Sequence, residues 1–295
     1  RRGARAATRQ AGRAATRRAR RGLGLAVGLP SATLELVPVT DRPPAPPREA
    51  RVDVIVCVHD APEDTRACLA SLERNSPPPC GLVLVDDGSS PETAELVRWF
   101  ADRLGAVHIV NEQARGYTRA ANQGLAASSA DFALLLNSDT VVTPGWIERL
   151  VACAESDPRI GIVGPLANTA SWQSVPDIVE DGDWAANPLP PDVSVEKMAE
   201  LVARYAGRLY PEMPFLNGFC LLIRRRLLEE IGPFDEATFG AGYGEENDFA
   251  LRARAAGWKL ALADDVYIHH AQSRSYSNEQ RSRLSSLANE ALLRK

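Results

Sequence analysis

From residue 51 onward, apolar positions fall into two alternating patterns. Continuous β-branched and leucine-rich runs, typical of strands buried on both faces, alternate with segments whose apolar residues recur at helical spacing. "RVDVIVCVHD" (51–60) is the first run and "DTRACLASLER" (64–74) the helical segment after it. "CGLVLVDDGSS" (80–90) predicts a second strand, and "PETAELVRWFADRLG" (91–105) a helix with Pro at its start and Gly at its end. "AVHIVNE", "YTRAANQGLAAS" and "DFALLLNSDT" then predict strand, helix and strand. Four alternations with short connections predict a doubly wound α/β domain, whose ligands sit beyond the carboxyl ends of the strands.

The second half is less regular. "GIVGPLANTASWQSVPD" reads as a strand entering a long loop, followed by a proline-rich stretch with a helix near "SVEKMAELVARYAG". "FLNGFCLLIRRRLLEEIG" predicts a strand turning into a helix that Gly232 ends, and "GYGEENDFALRARAAG" a helix that opens with acids. Residues 1–50 read as non-core, and the near-repeat "ARAATRQAGRAATRRARR" within them is helix-permissive but has no apolar face. They read as a basic and then proline-rich tail or linker, and residues 279–295 as a polar C-terminal helix.

Charge sharpens this division. Nine of the 34 basic residues lie within residues 1–21 beside no acid, which leaves 25 basic against 38 acidic residues for the remainder. A basic arm on an acidic body is first a solvated tail and second a contact for anionic membrane. Without interleaved aromatics it does not suggest nucleic acid. No run approaches the ~18–20 apolar residues of a membrane span. The basic start lacks the apolar core of a secretory leader, and the chain begins with Arg1, as a piece of a longer protein would. Five cysteines at spacings that fit no zinc motif read as reduced, mostly buried thiols in a cytoplasmic protein.

Candidate chemistry gathers at the strand ends: His59–Asp60, Asp86–Asp87 and Asn137–Ser138–Asp139. Three polar termini in register suggest one anionic rim, suited to a metal-bound nucleotide. Neither a Gly-x-Gly-x-x-Gly turn nor a P-loop follows the first strand, so a divalent cation is one way to hold a phosphate. Asp139 is either a metal carboxylate or an acid capping the turn before Pro144. In "VYIHH", strand alternation puts Tyr267 and His269 on one face, Ile268 and His270 on the other. In "GYGEENDFALR", a helix from about Glu246 puts that residue on the face of Phe249, Ala250 and Ala253. Glu245, Asp248 and Arg252 then fall on the outer side, within reach of one another. Glu246 is thus the candidate general base, and the other two are capping acids.

Eight segments in order carry a resemblance: "VDVIVCVHD", "CLASL", "LVDDGS", "RGYTRAANQGL", "LLLNSDTVVTPGWIERL", "FLNGFCLLIRR", "FGAGYGEENDFALRARAAGW" and "YIHHAQSRSYS". They span residues 51 to about 278, and the chain resembles glycosyltransferase family 2, inverting enzymes of GT-A fold that use nucleotide-diphosphate sugars. "GPLANTASWQSVP" with "GYGEENDF" resembles the bacterial polysaccharide and rhamnosyl transferases. The resemblance implies a GT-A domain over residues 51–278, a Rossmann-like mixed sheet with an acceptor-side subregion. By position, Asp87 beside Asp86 would bind the nucleotide base. Cys57, Val58, Asp60, Arg115, Asn122 and Ser138 would complete the nucleotide site. Asp139 and His270 (or, one position off, His269) would hold Mg²⁺ or Mn²⁺; Asn137 stands where the family has the first acid of Asp-x-Asp. Glu246 would be the base, with Trp172, Gln173, Asn217, Gly218, Glu245 and Asp248 around the sugar and acceptor.

The implied partners are a dTDP- or UDP-sugar and a glycan or lipid-linked acceptor, handled in the cytoplasm or at the inner face of the membrane. Two other classes compete. A nucleotidyltransferase would need a glycine-rich, basic loop after the first strand, which "CVHDAPEDTRA" is not. A non-catalytic sugar-binding module would tolerate Asn137 but would have no need to retain the acids of "GEEND".

Overall fold

The computed structural model describes residues 50–76, 80–240, 242–271 and 290–294. The basic tail lies outside them, as does most of the C-terminal segment, of which residues 290–294 are helical. The expected order of elements appears. Strands β1 (Val52–Val58), β2 (Gly81–Asp87), β3 (Val107–Asn111) and β4 (Phe132–Asn137) alternate with helices α1 (Pro62–Asn75), α2 (Pro91–Leu104) and α3 (Tyr117–Ala127). Then come β5 (Thr140–Val141), α4 (Trp146–Ser156), β6 (Ile160–Ala167) and a small hairpin of β7 (Val179–Glu180) and β8 (Asp183–Trp184). The chain continues through α5 (Val195–Tyr205), β9 (Cys220–Arg224), α6 (Arg225–Ile231), α7 (Glu236–Phe239), α8 (Glu245–Ala255) and β10 (Lys259–His270).

Eight strands form one mixed sheet in the order β3-β2-β1-β4-β9-β6-β10-β5. The first four are parallel neighbours. Strand β9 enters antiparallel between β4 and β6. This insertion extends the sheet beyond the doubly wound half and brings the second half of the chain against the first.

Period-two alternation explains the two-sided core. Val52, Val54, Val56 and Val58 point to one face, where Leu69, Leu96, Phe100, Trp146 and Leu150 pack on them. Ile55, Val83 and Val85 point to the other, under Ala120, Ala121, Leu125, Leu227 and Phe249. Both faces are buried, so the strands read as unbroken apolar runs. Helix α3 approaches the sheet closely at Gly124, where any Cβ would collide with the Ile55 side chain.

Candidate active site

A cleft of about 620 Å³ opens at the carboxyl ends of β1, β2 and β4. Cys57, Val58 and His59 lead out of β1 into it, Asp87 out of β2, and Asn137, Ser138 and Asp139 out of β4. The start of α3 supplies Arg115, Gly116 and Tyr117. Asn217, Gly218 and Phe219 precede β9, and Tyr243, Glu245 and Glu246 surround the start of α8. His270, at the end of β10, also lines it.

Asp87 is buried and fully engaged. Its carboxylate accepts from the backbone N–H groups of Arg115 (2.9 Å) and Gly116 (2.8 Å) and from Asn111 Nδ2 (2.8 Å). It therefore ties β2 to the loop that presents Arg115. Asp86 is buried outside the cleft lining and accepts from the N–H of Ser89. His59, on the cleft wall, sets Nδ1 3.0 Å from the Asp87 carbonyl, which makes that nitrogen the donor.

Asp139 and His270 meet because β5 pairs antiparallel with β10, with Thr140 opposite His270. The Asp139 carbonyl accepts from the N–H of Ala271 at 2.9 Å, and His270 Nε2 lies 3.4 Å from Asp139 Oδ1. His270 Nδ1 is 2.9 Å from the Thr169 carbonyl, so Nδ1 carries the proton and donates. The Phe219 ring stacks on the imidazole with 5.0 Å between centroids. Asn168 brackets the same residue, accepting from its N–H and donating to its carbonyl. In the neutral ring, Nε2 therefore presents a lone pair to a carboxylate oxygen. A shared cation suits that pair, and an imidazole oriented by a backbone carbonyl is a common ligand arrangement. Among the described residues no group of three or more His, Cys, Asp or Glu side chains could hold an ion. A cation here would complete its shell from water and a phosphate-bearing ligand.

At the start of α8, Glu246 Oε2 accepts from the N–H of Gly244 at 3.2 Å, and burial raises its pKa above the ordinary carboxylate range. A Cβ at Gly218 would stand 3.6 Å from Glu246 Cβ, so the loop before β9 backs directly on this acid. Glu245 does not lie on the outer side as expected: it is buried, and its Oε2 has no hydrogen-bond partner. Helical geometry gives the reason. Phe249, at the centre of the packed face, stands four residues after Glu245, directly beneath it. Burial and the neighbouring Glu246 charge push the Glu245 pKa well up. Asp248 is buried too, and its expected pairing with Arg252 forms, with Nε to Oδ2 at 2.9 Å.

The other residues read from sequence lie away from the cleft lining. Asp60 is exposed and accepts from the N–H of Ser90, ahead of α2. Asn122 is buried in α3, where its amide exchanges hydrogen bonds of 2.9 and 3.0 Å with the backbone of Phe234. Gln173 is buried behind the wall, linking the Pro165 carbonyl to the N–H of Asn217. Trp172 projects outward and is 59% exposed. Sequence reasoning missed Tyr117 and Tyr243, which line the cleft where a glycine precedes a tyrosine near a helix start, and Phe219, which the apolar run hid. Cys57 lines the cleft as a thiol, since burial pushes its pKa far up and withholds a thiolate.

The mixed sheet, doubly wound in its first half and extended by an antiparallel strand, is a GT-A fold, as in the solved glycosyltransferase structures it resembles. Residues 53–232 match the family model for glycosyl transferase family 2, and the chain belongs to that family of glycosyltransferases. It is 28% identical over 241 residues to the N-acetylglucosaminyl-diphospho-decaprenol L-rhamnosyltransferase of Mycobacterium tuberculosis, covering 73% of this chain and 74% of that protein. It is 26% identical over 234 residues to the pre-mycofactocin glycosyltransferase of the same species, covering 78% of this chain and 44% of that one. Among solved structures, the mannosyltransferase PcManGT from Pyrobaculum calidifontis, in complex with GDP-Man and Mn²⁺, is similar with a TM-score of 0.60 at 18% identity. That match covers 86% of this chain and 67% of the other. GalNAc-T7 with UDP, GalNAc and Mn²⁺ gives a TM-score of 0.57 at 19% identity, covering 75% and 44%.

Proposed function

We propose that this glycosyltransferase moves a sugar, with inversion, from a dTDP- or UDP-sugar to a hydroxyl of a lipid-linked or growing cell-surface glycan. The observation that carries the reading is that one cleft holds a cation-type pair, Asp139 and His270, and a half-buried acid, Glu246. Similarity to an L-rhamnosyltransferase whose name specifies a decaprenol-linked acceptor supports rhamnose as the donor sugar. The Mn²⁺ in the similar solved structures supports a divalent cation.

In this reading the nucleotide lies over the ends of β1 and β2, near Asp87 and Arg115, with its diphosphate toward Ser138. Asp139 and His270 would hold Mg²⁺ or Mn²⁺. That ion would neutralise charge developing on the departing diphosphate, which stabilises the transition state more than the ground state. Glu246 takes the proton from the attacking acceptor hydroxyl. Burial helps here, because a carboxylate with a raised pKa is a stronger base. The acceptor oxygen bonds to the anomeric carbon as the bond to the diphosphate oxygen breaks, and one such displacement inverts the centre. Asn137 leaves Asp139 as the only carboxylate of its motif, so the ion would rely on the donor diphosphate for much of its shell.

Among the described residues no helix is long and apolar enough to cross a membrane. For work at the cytoplasmic face of the membrane, the basic tail is the candidate surface contact. The test of the function is calorimetric titration with UDP, dTDP and GDP, each with and without Mn²⁺, followed by proton NMR of the anomeric signal of the product. Metal-dependent binding of one nucleotide and a product of inverted configuration are expected. Binding of none would turn the reading toward a non-catalytic module.

A further inference from the structure

Trp172 and Trp184 form an exposed aromatic pair outside the cleft lining. They are 59% and 44% exposed, and their rings meet edge-to-face with 5.2 Å between centroids. Two exposed tryptophans in mutual contact are an apolar patch that water disfavours, and such patches mark interaction sites. Trp172 sits on a short turn, Ser171–Gln173, whose first residue holds the left-handed backbone (φ 53°) that non-glycine residues avoid. The turn is anchored from below: Gln173 Oε1 accepts from the N–H of Asn217 at 2.6 Å, and Ser171 Oγ accepts from Asn217 Nδ2 at 3.3 Å. Asn217 precedes Gly218, which backs on Glu246. The Trp184 side is anchored as well. The Asn187 amide donates to the Asn168 carbonyl at 2.8 Å, and Asn168 brackets His270. The turn that carries Trp172 is therefore tied to Asn217 on the cleft lining, and the segment after Trp184 to Asn168, which brackets His270.

The geometry points to a saccharide-binding platform: Trp172 and Trp184 receive a neutral pyranose unit of the acceptor, next to the one whose hydroxyl reaches Glu246. This rests on the glycosyltransferase reading of the cleft. A pyranose ring has an apolar face of C–H groups, which stacks on the electron-rich face of an indole and leaves the hydroxyls at the rim. The rim here is acidic: Asp177, Glu180, Asp181 and Asp183 are all exposed on or beside the β7–β8 hairpin. Carboxylates accept hydrogen bonds from sugar hydroxyls. The same four charges repel an anionic bilayer, so a membrane surface fits this patch poorly.

The test uses Trp172→Ala and Trp184→Ala, both at exposed positions where folding should survive; circular dichroism checks this. Maltotriose, chitotriose and a rhamnose-containing trisaccharide serve as probes, read by saturation-transfer NMR and intrinsic fluorescence. Vesicles of phosphatidylglycerol are the contrasting probe, and nucleotide binding is titrated on the same samples. We expect at least one trisaccharide to bind wild type, to bind each variant about tenfold more weakly, and the nucleotide affinity to stay unchanged. Equal binding by wild type and variants, or no trisaccharide bound by wild type, overturns the platform. Trp-dependent binding to the vesicles instead would also overturn it, marking a membrane patch. Failure of nucleotide binding in wild type with Trp-dependent saccharide binding intact would sink the donor reading and leave the platform standing.

Discussion

His270 Nε2 stands 3.4 Å from Asp139 Oδ1 across a two-stranded antiparallel pairing. The pairing brings together an acid from the end of a first-half strand and an imidazole from the last strand of the sheet. Asp139→Ala should lower nucleotide affinity in the presence of Mn²⁺ by about tenfold or more, and leave metal-free binding nearly unchanged. Asn137→Asp should shift affinity the other way by adding a second carboxylate to the cleft. Calorimetry with and without Mn²⁺ reads both; a metal dependence that neither variant alters would remove the cation from this pair.

Glu246→Gln should lower kcat by about 10²–10⁴-fold and leave donor binding intact, since an amide cannot accept the hydroxyl proton. In the wild type, activity should rise with pH along a limb above the usual carboxylate range, because burial raises the pKa of this acid. The pH profile of kcat checks this. A limb at an ordinary carboxylate value would mean that another group takes the proton.

Glu245 bears on stability. Its folded-state pKa lies well above the ordinary 4.5, because burial and the Glu246 charge oppose ionisation. Between 4.5 and the raised value the folded chain holds a proton that the unfolded chain has released, so stability falls as pH rises through that window. Glu245→Gln removes the titration. Thermal unfolding from pH 4 to 9 should show a flatter profile for the variant, with a higher Tm than wild type at the alkaline end.

Arg252 binds the buried Asp248 and donates to the carbonyls of Ile231 and Pro233, at 2.8 Å each. Arg252→Ala leaves the buried Asp248 carboxylate without its half-buried partner and removes two charge-assisted hydrogen bonds, and should cost about 3 kcal/mol. Urea unfolding monitored by circular dichroism measures it. A loss below about 0.5 kcal/mol would mean solvent screens this pair as it does an exposed one.

Asn122 distinguishes a positional likeness from a contact. Its amide is spent on the Phe234 backbone and on Glu236. Asn122→Ala should destabilise by about 2 kcal/mol, while nucleotide affinity in the folded protein stays within about twofold. A large selective loss of nucleotide binding would restore it to the site.

Much of the domain is legible in the sequence. Strands buried on both faces and helices with one apolar stripe announce themselves locally, and polar residues at the strand ends marked the rim. The eight resembling segments identified the fold and the family. The acids of "GYGEENDF" show where local reading stopped. A helix assumed to start at Glu246 put Glu245 outside. The observed helix starts at Glu245 and packs around Phe249, so Glu245 is covered.

Periodicity, turn chemistry and motif order determined the elements, their sequence and the family, because each depends on residues within a few positions of one another. Tertiary structure alone decided that β9 runs antiparallel inside the sheet, that Thr140 pairs with His270, and that Asn122 and Gln173 brace walls instead of lining the cleft. It also decided that Trp172 meets Trp184 outside the cleft. Those outcomes depend on pairings between distant segments. Strand register and burial are settled by what packs on each face, and a single stretch of sequence carries no record of its partner.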